Sequence, residues 1–291
     1  MLLPKFDFHA PVSLQEASEI LAAHGDRAKV IAGGTDLMVN LKRKVVCPEH
    51  LVSLARIESL KTLTGENGSV RIGAYVTVDE LAVSETVCGT IGALAAGARA
   101  LGTPLIRNRA TIGGNLGSAR PAADLPPSLM AYGASVVLMG SETERTVLLD
   151  DFFKGPGLTV VKPGECITEI RVPKPPEGAG AGYINLGVRK SQDCNIVNVA
   201  SYLALNGDGS IAEARVVMGS VGPTPLHATS AEALLKGEFP DEALFARAGE
   251  AAAGDSTPIL DFRGSAQYRR DMVAVLARRT LALALKEAHS S

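Results

Sequence analysis

Tryptophan is absent from the 291-residue chain, and aromatic residues make up only 4% of it. A base-stacking platform of the kind that grips single-stranded nucleic acid is thereby excluded. No block of Lys or Arg occurs, and a net charge of −2 with both signs interspersed leaves no footprint for a phosphate backbone. Cysteine is scarce as well: Cys47, Cys88, Cys166 and Cys194 lie far apart, with no CxxC, zinc-knuckle or iron–sulfur spacing. They read as free thiols, so any iron–sulfur chemistry has to come from another chain. His9, His24, His50, His227 and His289 are dispersed and show no pairing with a Ser, Cys or carboxylate. Ser118 and Ser128 lack the nucleophile-elbow pattern. Neither a catalytic side chain nor a metal is therefore expected. Long apolar runs are missing too. The N-terminal "MLLPKFDFHAPVS" carries acidic and proline residues where a signal peptide needs an apolar core, and nothing approaches a membrane span. The expectation is a soluble, cytoplasmic protein.

What is present is enough chain for two domains. "SLQEASEILAAHG" predicts a helix with Ser13 and Glu16 as a capping box and Gly25 as its stop. "KVIAGGTDLMVNLKR" predicts a short strand, a double glycine and a helix from about Asp36. "VRIGAYVTVDELAVS" predicts a strand and a helix capped by Thr77 and Glu80. The Ala/Gly-rich "VCGTIGALAAGARALG" suits a helix lying close against another backbone. "SVVLM", "RTVLL" and "CITEIRV" read as strands. Residues 172–183, rich in Pro and Gly, read as a linker or long surface connection. Beyond it, three strand-like runs, one hairpin signal ("NGDG") and three helical stretches predict a compact α+β domain. The expected boundaries are 1–175, with lobes of about 1–56 and 57–175, and 176–291.

Two segments carry chemistry. "VIAGGTDL" (30–37) and "TIGGNLGSA" (111–119) each set a Gly-Gly pair beside Thr or Asn, next to an apolar stretch. Glycine lets backbone N–H groups approach a ligand and permits φ > 0, so several amides can face one anion. A pyrophosphate suits such a surface, and Asp124 downstream suits sugar or ribityl hydroxyls. Gly-Gly pairs also serve as plain turns, and Asp124 also fits a helix N-cap. Neither segment is G-x-G-x-x-G or a Walker A sequence.

"AGGTDL" and "RNRATIGGNLGSARPAADLPP", in this order, resemble the FAD-binding medium subunits of the molybdenum hydroxylases, the family of carbon monoxide dehydrogenase and xanthine dehydrogenase. The resemblance continues through "YINLGVRKSQDCNIVNVASYLAL" and "VVMGSVGPTPLHA". It implies an α+β fold: a two-lobed FAD-binding domain of the vanillyl-alcohol-oxidase/PCMH type, then a three-stranded antiparallel sheet with a helical bundle. It implies FAD on this chain, with Lys29, Val30, Ile31, Ala32, Gly33, Gly34, Thr35, Asp36 and Leu37 as the first flavin loop. Thr111, Gly113, Gly114 and Asn115 form the second, and Asp124 binds dinucleotide hydroxyls. Leu101 and Gly102 touch the cofactor peripherally. Ile167 is either an isoalloxazine contact or a strand core residue, and Tyr183 either gates the flavin or is a plain strand aromatic. Arg189, Lys190 and Asp193 are either a solvated face or a second-nucleotide site.

The resemblance further implies an electron-transfer oxidoreductase subunit. Its partners are a small 2Fe-2S subunit and a large molybdopterin subunit in a dimer of heterotrimers, and its electrons leave to an acceptor such as NAD or a quinone. The cysteine-rich insert that carries an extra 4Fe-4S cluster in the 4-hydroxybenzoyl-CoA reductases is missing. A free-standing flavin oxidoreductase and a cofactor-free binding module are the rival readings.

Overall fold

In the computed structural model, residues 3–66, 68–141, 143–189 and 193–290 are described. The first lobe contains β1 (Asp7–His9), α1 (Leu14–His24), β2 (Ala28–Ile31), α2 (Leu37–Lys42) and β3 (His50–Ser53). Its three strands form a parallel sheet in the order β1-β3-β2. Helix α1 starts where Ser13 accepts the amide of Glu16, and it stops where Gly25 turns to φ 53°. Glu16 reaches back to the amide of Val12, one residue beyond the expected box. Ala17 and Leu21 on its inner face are buried against the sheet.

The second lobe begins with β4 (Leu63–Glu66), β5 (Ser69–Gly73), α3 (Val78–Val83), α4 (Glu85–Thr90) and α5 (Gly92–Ala100). It continues with α6 (Pro104–Arg107), α7 (Ile112–Gly117), α8 (Leu125–Ala131), β6 (Ser135–Met139), β7 (Glu144–Leu148) and α9 (Leu149–Phe152). A small β8 (Phe153–Gly155), β9 (Leu158–Thr159) hairpin and the long β10 (Cys166–Pro173) complete it. The sheet is antiparallel in the order β4-β5-β10-β6-β7. Thr77 and Glu80 form the complete capping box of α3. The Ala/Gly-rich stretch is two helices, broken at Ile91, and not one. Its small residues do permit close packing: a Cβ at Gly97 would sit 3.0 Å from the Asp124 carbonyl oxygen.

Two local expectations are corrected. Residues 112–117 are not loop but the helix α7, nucleated by Thr111, whose hydroxyl accepts the Gly114 amide. The expected linker at 172–183 is mostly strand. Residues 174–178 connect β10 to β11 (Ala179–Leu186), whose glycines lie under the last helix. Backbone overlap explains the composition: a Cβ at Gly182 would stand 2.6 Å from the Thr280 carbonyl, and one at Gly180 would overlap that of Ala284.

β11, β12 (Val197–Leu205) and β13 (Ile211–Gly219) form the expected antiparallel sheet, to which a two-residue β14 (Leu226–His227) adds a fourth strand. α10 (Thr229–Leu235), α11 (Glu242–Asp255) and α12 (Ala266–Ala288) cover one face. Strand alternation divides the sheet between two cores. Val197, Val199, Leu203, Val216 and Met218 join the helices, whereas Tyr183, Ala200, Tyr202 and Val217 join the core of the second lobe. The C-terminal unit is thereby seated on α5 and α8.

Candidate cofactor-binding site

The first glycine turn follows β2, at the C-terminal edge of the parallel sheet. Residues 30–38 are all partly exposed apart from the open Lys29 before them, in a region flanked by buried sheet. Gly34 takes φ 76°, a conformation that disfavours any side chain. Among the described residues, no acceptor is found for the amides of Gly33, Gly34 and Thr35. Consecutive undischarged amides of this kind make a concave, anion-seeking surface.

The second motif comes from the other lobe and meets the first through bare backbone. A Cβ at Gly33 would overlap the carbonyl of Arg109. Asp36, expected in the first flavin loop, ties the lobes: it accepts from Ser118 Oγ at 3.1 Å and lies 3.7 Å from Arg120 Nε. The amides of the second motif are used inside the protein. Ile112 N–H donates to Val76, Gly113 N–H to Ala74, Gly114 N–H to Thr111 Oγ1, and Asn115 N–H to the Thr111 carbonyl. Gly113 is required for closeness rather than for donors, since a Cβ there would lie 2.7 Å from Ala74. What this motif offers a ligand is Asn115, whose side-chain oxygen is buried and meets no donor among the described residues. Such an atom costs about 1–3 kcal/mol unless a ligand donates to it.

Asp124 stands at the N-cap position of α8 but makes no capping bond, which corrects the helix-cap reading. It is 9% exposed. Its Oδ1 accepts from Asn195 Nδ2 at 2.7 Å and from the Tyr183 hydroxyl at 3.1 Å, while Asn198 Nδ2 donates to that hydroxyl at 3.2 Å. Burial pushes the carboxyl up to about 6, against the pull of the Asn195 and Tyr183 hydrogen bonds. The Tyr183 hydroxyl is held far above its ordinary range by burial and by the Asp124 charge. Tyr183 is thus an interior strand residue that fixes a carboxylate. Oδ2 of Asp124 meets no donor among the described residues and is open to a hydroxyl.

Leu101 closes α5, Gly102 follows at φ 54°, and both precede the exposed α6. Ile167 is buried beside a bulge in β10, with its Cδ1 3.6 Å from where a Gly117 Cβ would be, so it lies against α7. Arg189 is 3.9 Å from Asp193, which also accepts the Arg189 amide; Lys190 lies outside the described residues. Sequence reasoning missed Asn195, Asn198 and Ser118. The two asparagines, three apart in an otherwise apolar run, were the available signal. Nothing in the sequence marks the carbonyl of Arg109. It also missed the histidine pairings: His227 bonds both Asp150 and Glu232.

The residues present fit FAD. The free amides match a pyrophosphate, and Asn115 and Asp124 match donors on ribityl, ribose or ring. Comparisons with known proteins agree. The description "FAD binding domain in molybdopterin dehydrogenase" matches residues 4–175, and "CO dehydrogenase flavoprotein C-terminal domain" matches 183–284. The chain is 35% identical over 282 residues to the carbon monoxide dehydrogenase medium chain of Hydrogenophaga pseudoflava, covering 97% of each. It is 33% identical to the 6-hydroxypseudooxynicotine dehydrogenase complex subunit alpha of Paenarthrobacter nicotinovorans, covering 98% of this chain and 96% of the relative. The solved carbon monoxide dehydrogenase of Hydrogenophaga pseudoflava superimposes with a TM-score of 0.94 at 34% identity, covering 98% and 99% of the chains.

Proposed function

The chain belongs to the FAD-binding subunits of the molybdenum hydroxylases, and on that premise we propose that it relays electrons through FAD from 2Fe-2S clusters of a small partner to an external acceptor such as NAD or a quinone. Substrate oxidation belongs to a large molybdopterin subunit, and the three chains form a dimer of heterotrimers in the cytoplasm. Among the described residues no helix is long and apolar enough to cross a membrane, in keeping with this setting.

FAD, when bound, would supply the redox chemistry. The chain's residues position it. Gly33, Gly34 and Thr35 present their amides to the pyrophosphate, with Lys29, Val30, Ile31, Ala32, Asp36 and Leu37 shaping that turn. Thr111, Gly113 and Gly114 hold α7 against residues 74–78, so that Asn115 accepts from the cofactor. Asp124, aimed by Tyr183 and Asn195, accepts from a hydroxyl. Leu101, Gly102 and Ile167 line the apolar approach.

The observation that carries this reading is the meeting of two glycine motifs from separate lobes: among the described residues, one has amides that meet no acceptor and the other a buried amide oxygen that meets no donor. The relatives differ in their named substrates, in keeping with a substrate chosen elsewhere in the complex. Purification of the native complex tests the proposal. One FAD per copy of this chain is expected, together with two further chains, iron and molybdenum. A colourless chain that takes up no FAD on incubation overturns it.

A further inference from the structure

Three histidines from separate elements of the first lobe meet on its sheet. His9 ends β1, His50 begins β3, and His24 is the last residue of α1. One ring nitrogen from each lies within 4.8 Å of the other two. His9 Nε2 and His50 Nδ1 are 3.1 Å apart, and the His24 and His50 rings are stacked with centroids 3.6 Å apart. All three side chains are half-buried. Nδ1 of His24 is buried and has no partner among the described residues.

The three imidazoles thus bring one ring nitrogen each to a common space, within reach of a single ion. Neutral imidazole is the preferred nitrogen ligand of zinc and its late first-row neighbours. Tetrahedral zinc, with Zn–N of about 2.0–2.1 Å, sets its ligand nitrogens roughly 3.3 Å apart. The His9–His50 pair already has that spacing, and fanning His24 off the His50 ring brings in the third. Asp7 Oδ2 is 3.7 Å from His50 Nδ1 on an exposed side chain that is free to swing. The nearby Arg27 is engaged by Glu49 at 3.1 Å.

We propose that His9, His24 and His50, with Asp7 completing the set, bind a zinc-class divalent ion that fastens the C-terminus of α1 to the sheet. The site is separate from the flavin turn. His50 is in register with Ala28, whereas the turn follows Ile31, so the two lie roughly 10 Å apart along β2.

The full chain, loaded with FAD and stripped with a chelator, is titrated with Zn²⁺ by calorimetry and with Co²⁺ by visible absorption. One ion per chain, the intense absorption of tetrahedral Co²⁺ and a Tm that rises with Zn²⁺ are expected. His24→Asn should weaken Zn²⁺ at least tenfold and abolish the Tm shift while leaving FAD content unchanged. His9→Gln serves as the second variant should His24→Asn fail to fold. Cys47→Ser, three residues before His50 and exposed, should bind as the parent does. No saturable one-to-one binding, or full affinity in the histidine variants, overturns the proposal. So does loss of the ion in Cys47→Ser, which would assign binding to the thiol.

Discussion

Asn115 is the residue on which the proposed cofactor site can be tested most directly. Its buried oxygen meets no donor among the described residues, so a ligand donor there is gained without breaking any bond they make. Asn115→Ala is expected to weaken FAD by about 1–3 kcal/mol, roughly five- to hundredfold, with little change in melting temperature. Equilibrium dialysis against FAD measures it, and unchanged affinity would remove Asn115 from the site. Gly114→Val should act more severely for a different reason. A Cβ there lies 2.8 Å from Thr111 Oγ1, so the variant breaks the cap that starts α7 and displaces Asn115 with it. Asp124 adds a pH signature. Burial raises its carboxyl from an ordinary 3.8 to about 6, so between those values the folded chain keeps a proton that the unfolded chain has lost. Its contribution is whole below about pH 3.8 and is lost as pH rises through about 6. Urea titrations of the FAD-free chain across this window should show the decline in the parent and a flatter profile in Asp124→Asn.

Helix α12 and strand β11 form the pair of elements most sensitive to a single methyl group. Gly180 and Gly182 let the helix backbone rest on the strand, and any side chain meets main-chain atoms that cannot rotate away. Gly180→Val is expected to cost 3 kcal/mol or more, at the upper end of overpacking. A urea midpoint within experimental error of the parent would refute that close approach. The same pair shows the limit of sequence reading. "GAGAG" carries the composition of a linker, and only the facing helix, a hundred residues later, makes it a strand. The opposite holds for α1 and α3, where Ser13 and Thr77 cap their own helices through local bonds and could be read in place. In α7 the six-residue length and three glycines hid a helix that depends on Val76 and Ala74 for its first bonds. Gly-Gly pairs could be located from sequence, but not which of the two would keep its amides free. That depends on partners from another lobe.

At the scale of the whole molecule, His227 links the C-terminal unit to the second lobe. Its ring bonds Glu232 at 2.8 Å and Asp150 at 3.1 Å. Burial alone would lower its pKa, but these two carboxylates raise it to about 9. The folded state therefore holds the proton more tightly than the unfolded one. The resulting stability is complete below about pH 6.5 and disappears as pH rises through about 9. His227→Gln should remove this alkaline limb, on the order of 2 kcal/mol, in melts taken from pH 6 to about 9. An identical limb in the variant would place the titrating group elsewhere. The meeting of Gly33 with the Arg109 carbonyl has a consequence in time as well as in space. Neither glycine motif can take its final place until both lobes have formed and docked, because each is the wall against which the other rests. Secondary structure should therefore return early on refolding and flavin quenching last. A nick or crowding mutation anywhere along the lobe junction would then release the cofactor long before the chain unravels.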